Sequence, residues 1–530
     1  MKTIFHNSIN NNIFNNITKR RAAAVLICMI PLFAGSCVDL ALKERTDVRE
    51  LPTVRPAPSA PIGDSQASET AQVSLYLPDQ ERVRLTAQVE TIETRAGESL
   101  AEAAVNRLLS LITPLFPNLG GQALRLSSTV PAIERTCDMA IVNLGVSMRL
   151  LTPREQFAVR AAIVNTLTGV EGLSTVGVLV NGREDGVDLA STIPYGLLRR
   201  FTAGDIDTPW KQAESQSFDE ADSTKIAALY YPALDEPRLI PEPRAIIVAA
   251  ADTAQEYQNA LIETLMAELA KNSAVRPAIT RSILPPAELN YIVAAPRAYT
   301  PGGSADHLLQ LSFRSELDDY LAVNGGDRAS LFASLTYTLT GFVPGLDGLV
   351  VHIGGALVTE VTSRDGQVIH FENGRMSRSD FPNYAANIVT IYFPLEGGGL
   401  AGVERSVEQR LSSHPRTLLR MLLEGPVSWD PHDGLLNIVQ SNRLTEADIL
   451  GVSIADGAAL VNVSQAFADS CAELTAEQTH SLIYSIVNTL TELRGVKRVR
   501  FYTQGEAREF FNEPYSSLGE YLRNPGIIIE

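Results

Sequence analysis

One pattern recurs without a gap at 152–184, 324–356 and 475–507 of this 530-residue chain, and a chain containing copies of one unit is expected to fold as copies of one unit. Thr168, Thr340 and Thr491 each stand 14 residues before a glycine (Gly182, Gly354, Gly505) and 16 residues after an N-cap residue type (Thr152, Asn324, Thr475). Three residues beyond those caps come Glu155, Asp327 and Gln478. The first and third copies therefore carry capping boxes and the second an acidic first turn. Pro153 suits the first helical position. Phe157, Ala161, Val164 and Leu167 recur on one helical face, as do Tyr484, Val487 and Leu490, and that face is expected to pack on a sheet.

A loop of about six residues follows each helix. Next come β-branched runs at 176–180, 349–353 and 499–503, and then the glycine of a tight turn. Each copy opens upstream with a strand-like run ending in an aromatic and a proline: Leu75-Tyr76-Leu77-Pro78, Leu229-Tyr230-Tyr231-Pro232 and Ile391-Tyr392-Phe393-Pro394. Between the opening and closing segments lie helical stretches at 100–111, 257–270 and 416–423, and strands at 140–146, 308–313 and 458–463. The order strand, helix, one or two strands, helix, strand predicts an α+β fold. It consists of three tandem copies of a small module, two helices on a small mixed sheet, at 73–200, 225–369 and 387–530, with links at 201–224 and 370–386.

The N-terminus reads differently. Lys19-Arg20-Arg21, an apolar stretch of about 12 residues and Ala34-Gly35-Ser36-Cys37 follow the order of a secretory signal, and the stretch is too short to span a bilayer. The sequence resembles a lipobox, with Ala34 where Leu is usual. This implies a leader at 1–36 and diacylation of Cys37, two acyl chains being enough for stable anchoring. Residues 37–72, rich in Pro, Ala, Ser and charge, are expected to form a disordered tether. The whole chain carries −17, and its leader holds four basic residues and no acid, so the remainder is more negative still and would repel nucleic acid. Beyond Cys28 and Cys37 there are only Cys137 and Cys471, at non-equivalent places in the repeats. Two free buried thiols are expected rather than a bridge.

The runs Ile163-Val164-Asn165-Thr166-Leu167-Thr168 with Asn181-Gly182, and Ile486-Val487-Asn488-Thr489-Leu490-Thr491 with Arg494-Gly495-Val496, resemble the GerMN domain of GerM-type sporulation and spore germination proteins. The ending Leu522-Arg523-Asn524-Pro525-Gly526-Ile527 is similar to that family's. The middle copy has Tyr337 in place of the asparagine and is a weaker match. The resemblance implies a fold like the ring-building modules of the sporulation septum. It also implies a lipoprotein on the outer face of the cytoplasmic membrane of an endospore former, acting through other envelope or sporulation proteins or self-association. An alternative is a lipoprotein that binds a cell-wall fragment or small solute between modules.

No catalytic constellation, cofactor fingerprint or metal-ligand spacing stands out. The seven histidines are scattered, and neighbours such as Asp318-Asp319 solvate a surface. Neither catalytic residues nor a cofactor or metal is expected. Asn165, Thr166, Asn488 and Thr489 admit two readings. They satisfy backbone groups near the helix end, or they form a shared contact surface for a partner module. If modules assemble as ring builders do, their contacts should repeat head to tail.

Overall fold

The computed structural model describes residues 60–61, 63–64, 70–94, 98–136, 138–170, 172–185, 194–215, 223–234, 236–287, 290–299, 306–428, 430–438 and 444–529. The leader, Cys37, most of the expected tether and Cys137 lie outside them.

The first repeat opens with a hairpin, β1 (Thr70–Pro78) and β2 (Leu85–Glu93), followed by α1 (Leu100–Ile112), β3 (Ile133–Thr136), β4 (Met139–Leu144), α2 (Pro153–Leu167), β5 (Thr175–Val180), β6 (Leu198–Arg199) and α3 (Asp207–Ser215). Strands β3 to β6 form a mixed sheet in chain order, with β4 and β5 parallel and both outer strands antiparallel to their neighbours. The hairpin stays a separate two-stranded ladder. Helix α2 packs on both the hairpin and the sheet, which explains why every residue from Gln156 to Leu167 is buried rather than only the expected face. The Thr152–Glu155 capping box starts that helix as the sequence predicts, with Pro153 at its first position.

The order recurs in the second repeat: β7 (Ser223–Pro232), β8 (Leu239–Val248), α4 (Ala254–Leu269), β9 (Asn290–Tyr299), β10 (Asp306–Phe313), α5 (Leu317–Val323), α6 (Arg328–Thr340), β11 (Gly348–Ile353), then the short strands β12 (Ala356–Leu357), β13 (Glu360–Thr362), β14 (Val368–His370) and β15 (Arg375–Met376). The third repeat has β16 (Ala386–Pro394), β17 (Leu400–Glu408), α7 (Pro415–Glu424), β18 (Ile449–Ala455), β19 (Ala458–Val463), α8 (Gln465–Ala472), α9 (Ala476–Leu490), β20 (Arg498–Thr503), β21 (Glu520–Leu522) and β22 (Ile528–Ile529). The pairs β10–β11 and β19–β20 are parallel like β4–β5. Gly182, Gly354 and Gly505 all have positive φ, as a tight turn after a strand requires.

Four expectations are corrected. In the second repeat Asn324 does not cap the closing helix. It ends α5, and Asp327 caps α6 by accepting from the Ser330 N–H at 2.9 Å, because Gly325 at φ +66° turns the chain in between. The link at 201–224 is largely structure, with Trp210 of α3 packed 5.7 Å from Phe157. The link at 370–386 likewise holds the buried Met376 and Phe381, and Ala385 pairs in parallel with Leu239 before the chain runs straight into β16. The end of the expected tether is docked on the third repeat. There the Asp64 carboxylate bonds the Arg416 guanidinium and the Val452 N–H (3.1 Å), and the Pro61 carbonyl accepts from Asn462 Nδ2 at 3.1 Å.

Repeats 1 and 2 share one apolar core, and repeat 3 has its own. Contacts between repeats do not repeat head to tail. Repeats 1 and 2 meet through Leu197 N–H to Ile226 O (2.8 Å), Glu184 N–H to Thr340 O (2.9 Å) and the Tyr195–Phe342 ring pair. Gly196 sits at φ +82° where a Cβ would come within 2.5 Å of the Phe342 ring. Repeats 2 and 3 instead meet through a small cluster of Ala233, Ile240, Ile279 and Ala386 and the Arg276–Glu404 ion pair at 3.3 Å.

Candidate functional site

The repeated Asn-Thr pair sits in the last turn of the closing helices α2 and α9, and Tyr337-Thr338 in that of α6, with their side chains turned inward. Thr166 Oγ1 accepts the Tyr76 N–H at 3.0 Å, Thr338 Oγ1 the Tyr230 N–H at 3.1 Å, and Thr489 Oγ1 the Tyr392 N–H at 3.0 Å. One threonine per repeat therefore ties the closing helix to the aromatic position of the opening strand. The asparagine ties it to the closing segment. Asn165 donates to Phe201 O (2.9 Å) and accepts from Phe201 N (2.8 Å), and Asn488 does the same with Asn524 at 3.1 and 2.9 Å.

Asn165, Thr166, Asn488 and Thr489 are all 0% exposed, so they form no contact surface. Their polar atoms are spent on backbone groups of their own repeat. Tyr337 keeps half of the clamp in the middle repeat. Its hydroxyl donates to Phe381 O at 2.9 Å, the longer side chain reaching a closing segment set farther away.

The same clamps bring a tyrosine and an arginine together three times, which sequence reasoning missed. Arg200 lies 5.1 Å above the Tyr76 ring, Arg378 4.9 Å above Tyr230 and Arg523 5.3 Å above Tyr392. In each pair the tyrosine comes from the opening strand and the arginine from the closing segment. A signal existed for two of them, since Arg200 and Arg523 both follow their clamping asparagines by 35 residues. Arg378 is displaced with the Tyr337 substitution and precedes its clamped residue, Phe381, by three.

Each of two copies holds a carboxylate. In repeat 3, Glu492 Oε1 receives the Tyr392 hydroxyl at 2.7 Å and Arg523 Nη2 at 2.6 Å. Burial, followed by the bond to Glu492, pushes the Tyr392 phenol up to about 12, so it remains a donor at neutral pH. In repeat 2 the carboxylate comes from repeat 1. Glu134 of the edge strand β3 receives the Tyr230 hydroxyl on Oε2 at 2.6 Å and Arg378 Nη1 on Oε1 at 2.8 Å. Glu134 and Arg378 have side chains only 2% and 1% exposed, and Arg378 also donates to Tyr337 O at 2.9 Å while lying 4.3 Å from the Tyr337 ring. A paired, hydrogen-bonded charge is the form in which burial is tolerated. In both sites one carboxylate is held by a tyrosine and an arginine, and the one in repeat 2 joins two repeats.

Among the described residues no group of three His, Cys, Asp or Glu side chains is placed to hold a metal ion, and no helix is long and apolar enough to cross a membrane. Cys471 is buried, which pushes its thiol up to about 12.

Residues 74–186 and 390–509 each match the model of the Germane family, described as sporulation and spore germination. The two stretches are the first and third repeats. Among solved structures, the tandem GerMN domains of the sporulation protein GerM from Bacillus subtilis match at 17% identity, over 57% of this chain and 98% of that one, with a TM-score of 0.21. A putative lipoprotein from Clostridium perfringens matches at 15% identity, over 26% of this chain and 87% of that one, with a TM-score of 0.18. No curated protein matches the chain.

Proposed function

We propose, from the premise that residues 74–186 and 390–509 are Germane domains, that the chain is a non-catalytic, lipid-anchored envelope protein acting in sporulation or spore germination by assembly with partner proteins. The family match carries the sporulation role. The assembly role is supported by the way repeats 1 and 2 already dock, a sheet-edge glutamate of one seated in the tyrosine–arginine site of the next. The middle segment acts as a third, divergent copy, and its Thr338–Tyr230 and Tyr337–Phe381 bonds support that reading. Cys37 carries the anchor and places the protein on the outer face of the cytoplasmic membrane.

Deleting the gene in its native spore former is expected to lower heat-resistant spore yield or slow dipicolinate release. Restoring it as Cys37→Ala should give a secreted protein that no longer fractionates with membranes in high salt. Normal sporulation and germination in the deletion strain would sink the role, and a membrane-bound alanine variant would sink the anchor.

A further inference from the structure

We propose that Arg200 and Tyr76 of the first repeat form an open docking site for a carboxylate carried on an exposed sheet edge of a partner protein. The inference deepens the assembly reading and rests on it for its biological partner. The two filled copies of the site define what it takes. In both, one carboxylate receives a tyrosine hydroxyl and an arginine N–H together, and in repeat 2 that carboxylate belongs to a neighbouring edge strand, β3.

The first copy has the same two donors. Its arginine is exposed and stacks on Tyr76, and Arg200 Nη2 donates to the Tyr76 hydroxyl oxygen, which leaves the phenol hydrogen for another acceptor. No carboxylate among the described residues pairs with Arg200.

The reason lies in one position. Glu492, which fills the site of repeat 3 from within, follows Thr491. The residues following the equivalent Thr168 and Thr340 are Gly169 and Gly341. In repeat 2 a Cβ at Gly341 would come within 2.6 Å of Arg378 Nη2, so glycine there lets the arginine seat against the helix end and leaves the carboxylate to come from outside. Repeat 1 has the same glycine and the same arginine–tyrosine pair, and no described repeat precedes it to supply the acid. Charge complementarity and the filled sister site together specify the occupant as a Glu- or Asp-bearing edge strand.

The probe is an acetylated, dye-labelled peptide Pro-Ala-Ile-Glu-Arg-Thr, a copy of residues 131–136, titrated with the full chain and followed by fluorescence anisotropy. Binding in the millimolar range or tighter is expected, with the Glu→Gln peptide about tenfold weaker, as for the loss of one charge-assisted hydrogen bond. Gly169→Glu, which builds in the acid that repeat 3 carries, should weaken binding by a similar factor, and so should Tyr76→Phe. Arg410→Ala, at an exposed arginine outside these sites, should leave it unchanged. Equal affinity for the two peptides, indifference to Gly169→Glu, or no binding up to about 5 mM peptide overturns the proposal. Loss of binding in all variants alike, Arg410→Ala included, also overturns it. These outcomes leave the sporulation phenotype of the deletion strain as a separate test of the assembly reading.

Discussion

Replacing Arg378 by methionine keeps most of the side-chain volume while removing the charge that holds repeats 1 and 2 together. The guanidinium is 1% exposed and the Glu134 carboxylate 2% exposed. The variant therefore leaves a carboxylate out of water, with the Tyr230 hydroxyl at 2.6 Å as its one short bond and Asn143 Nδ2 at 3.5 Å as a weak one. Stranding one partner of a buried ion pair costs about 3–5 kcal/mol. The lost bond to Tyr337 O falls within that range, because deletion costs for groups in one network do not add. Adding Glu134→Leu removes the stranded charge, so the double variant should lose less than the sum of the single losses by about 2 kcal/mol. Equilibrium urea unfolding in a Trp429→Phe background, with Trp210 reporting on the core shared by repeats 1 and 2, measures both quantities. An Arg378→Met variant within about 1 kcal/mol of the parent, or strictly additive losses, would refute the claim that this pair joins the repeats.

Asn488→Ala removes both bonds to Asn524 in a fully buried position, and should cost about 1–3 kcal/mol and expose 520–529 to early protease cleavage. Asp64 has its pKa lowered. Burial pushes the carboxyl up, but the bonds from Arg416 and the Val452 N–H outweigh it. A depressed carboxyl stabilises the docked strap above its unfolded pKa and loses that contribution as pH falls through the folded value. Protection from hydrogen exchange at Ala60, Gly63 and Asp64, taken relative to the intrinsic rate at each pH, should therefore fall below the ordinary aspartate value of 3.8 in the parent and be weak at every pH in Asp64→Asn. Undiminished protection at pH 2 in the parent would show that the strap is held by something else.

Local signals reported local structure well. The caps at Thr152 and Thr475, the turn glycines and the strand-forming runs each depend on neighbours a few residues away, and all appear where the spacing places them. The closing segments were harder to read. Residues 375–385 contain little periodic pattern and resemble a link, yet Phe381 and Met376 are buried because partners distant in sequence hold them, Tyr337 for Phe381 and Leu349 of β11 for Met376. The Asn-Thr pair was visible as a repeated feature, but its direction was not. A polar residue in a helix otherwise buried all round reads equally as an exposed contact or as an internal clamp until the strand and segment it bonds are in place. The tyrosine–arginine–carboxylate site of repeat 2 was invisible for the same reason. Glu134 and Arg378 are 244 residues apart, and neither stands out in its own neighbourhood.

The divergence of the middle copy follows from a single reach. Where Asn165 and Asn488 hold the closing segment by two short bonds, Tyr337 spans a ring's length to Phe381 with one, so the segment stands farther off and its arginine is taken from three residues upstream of the clamp. That displaced arginine lies between two tyrosine rings rather than above one, and becomes buried. A guanidinium so enclosed requires a counter-charge, and Gly341 leaves no acid on the helix end to provide it. The requirement is met by Glu134 of the preceding repeat. The substitution that makes repeat 2 the poorest match to the family pattern is thus the one that commits it to a neighbour, whereas repeat 3, with Glu492 on its own helix end, satisfies its arginine without one.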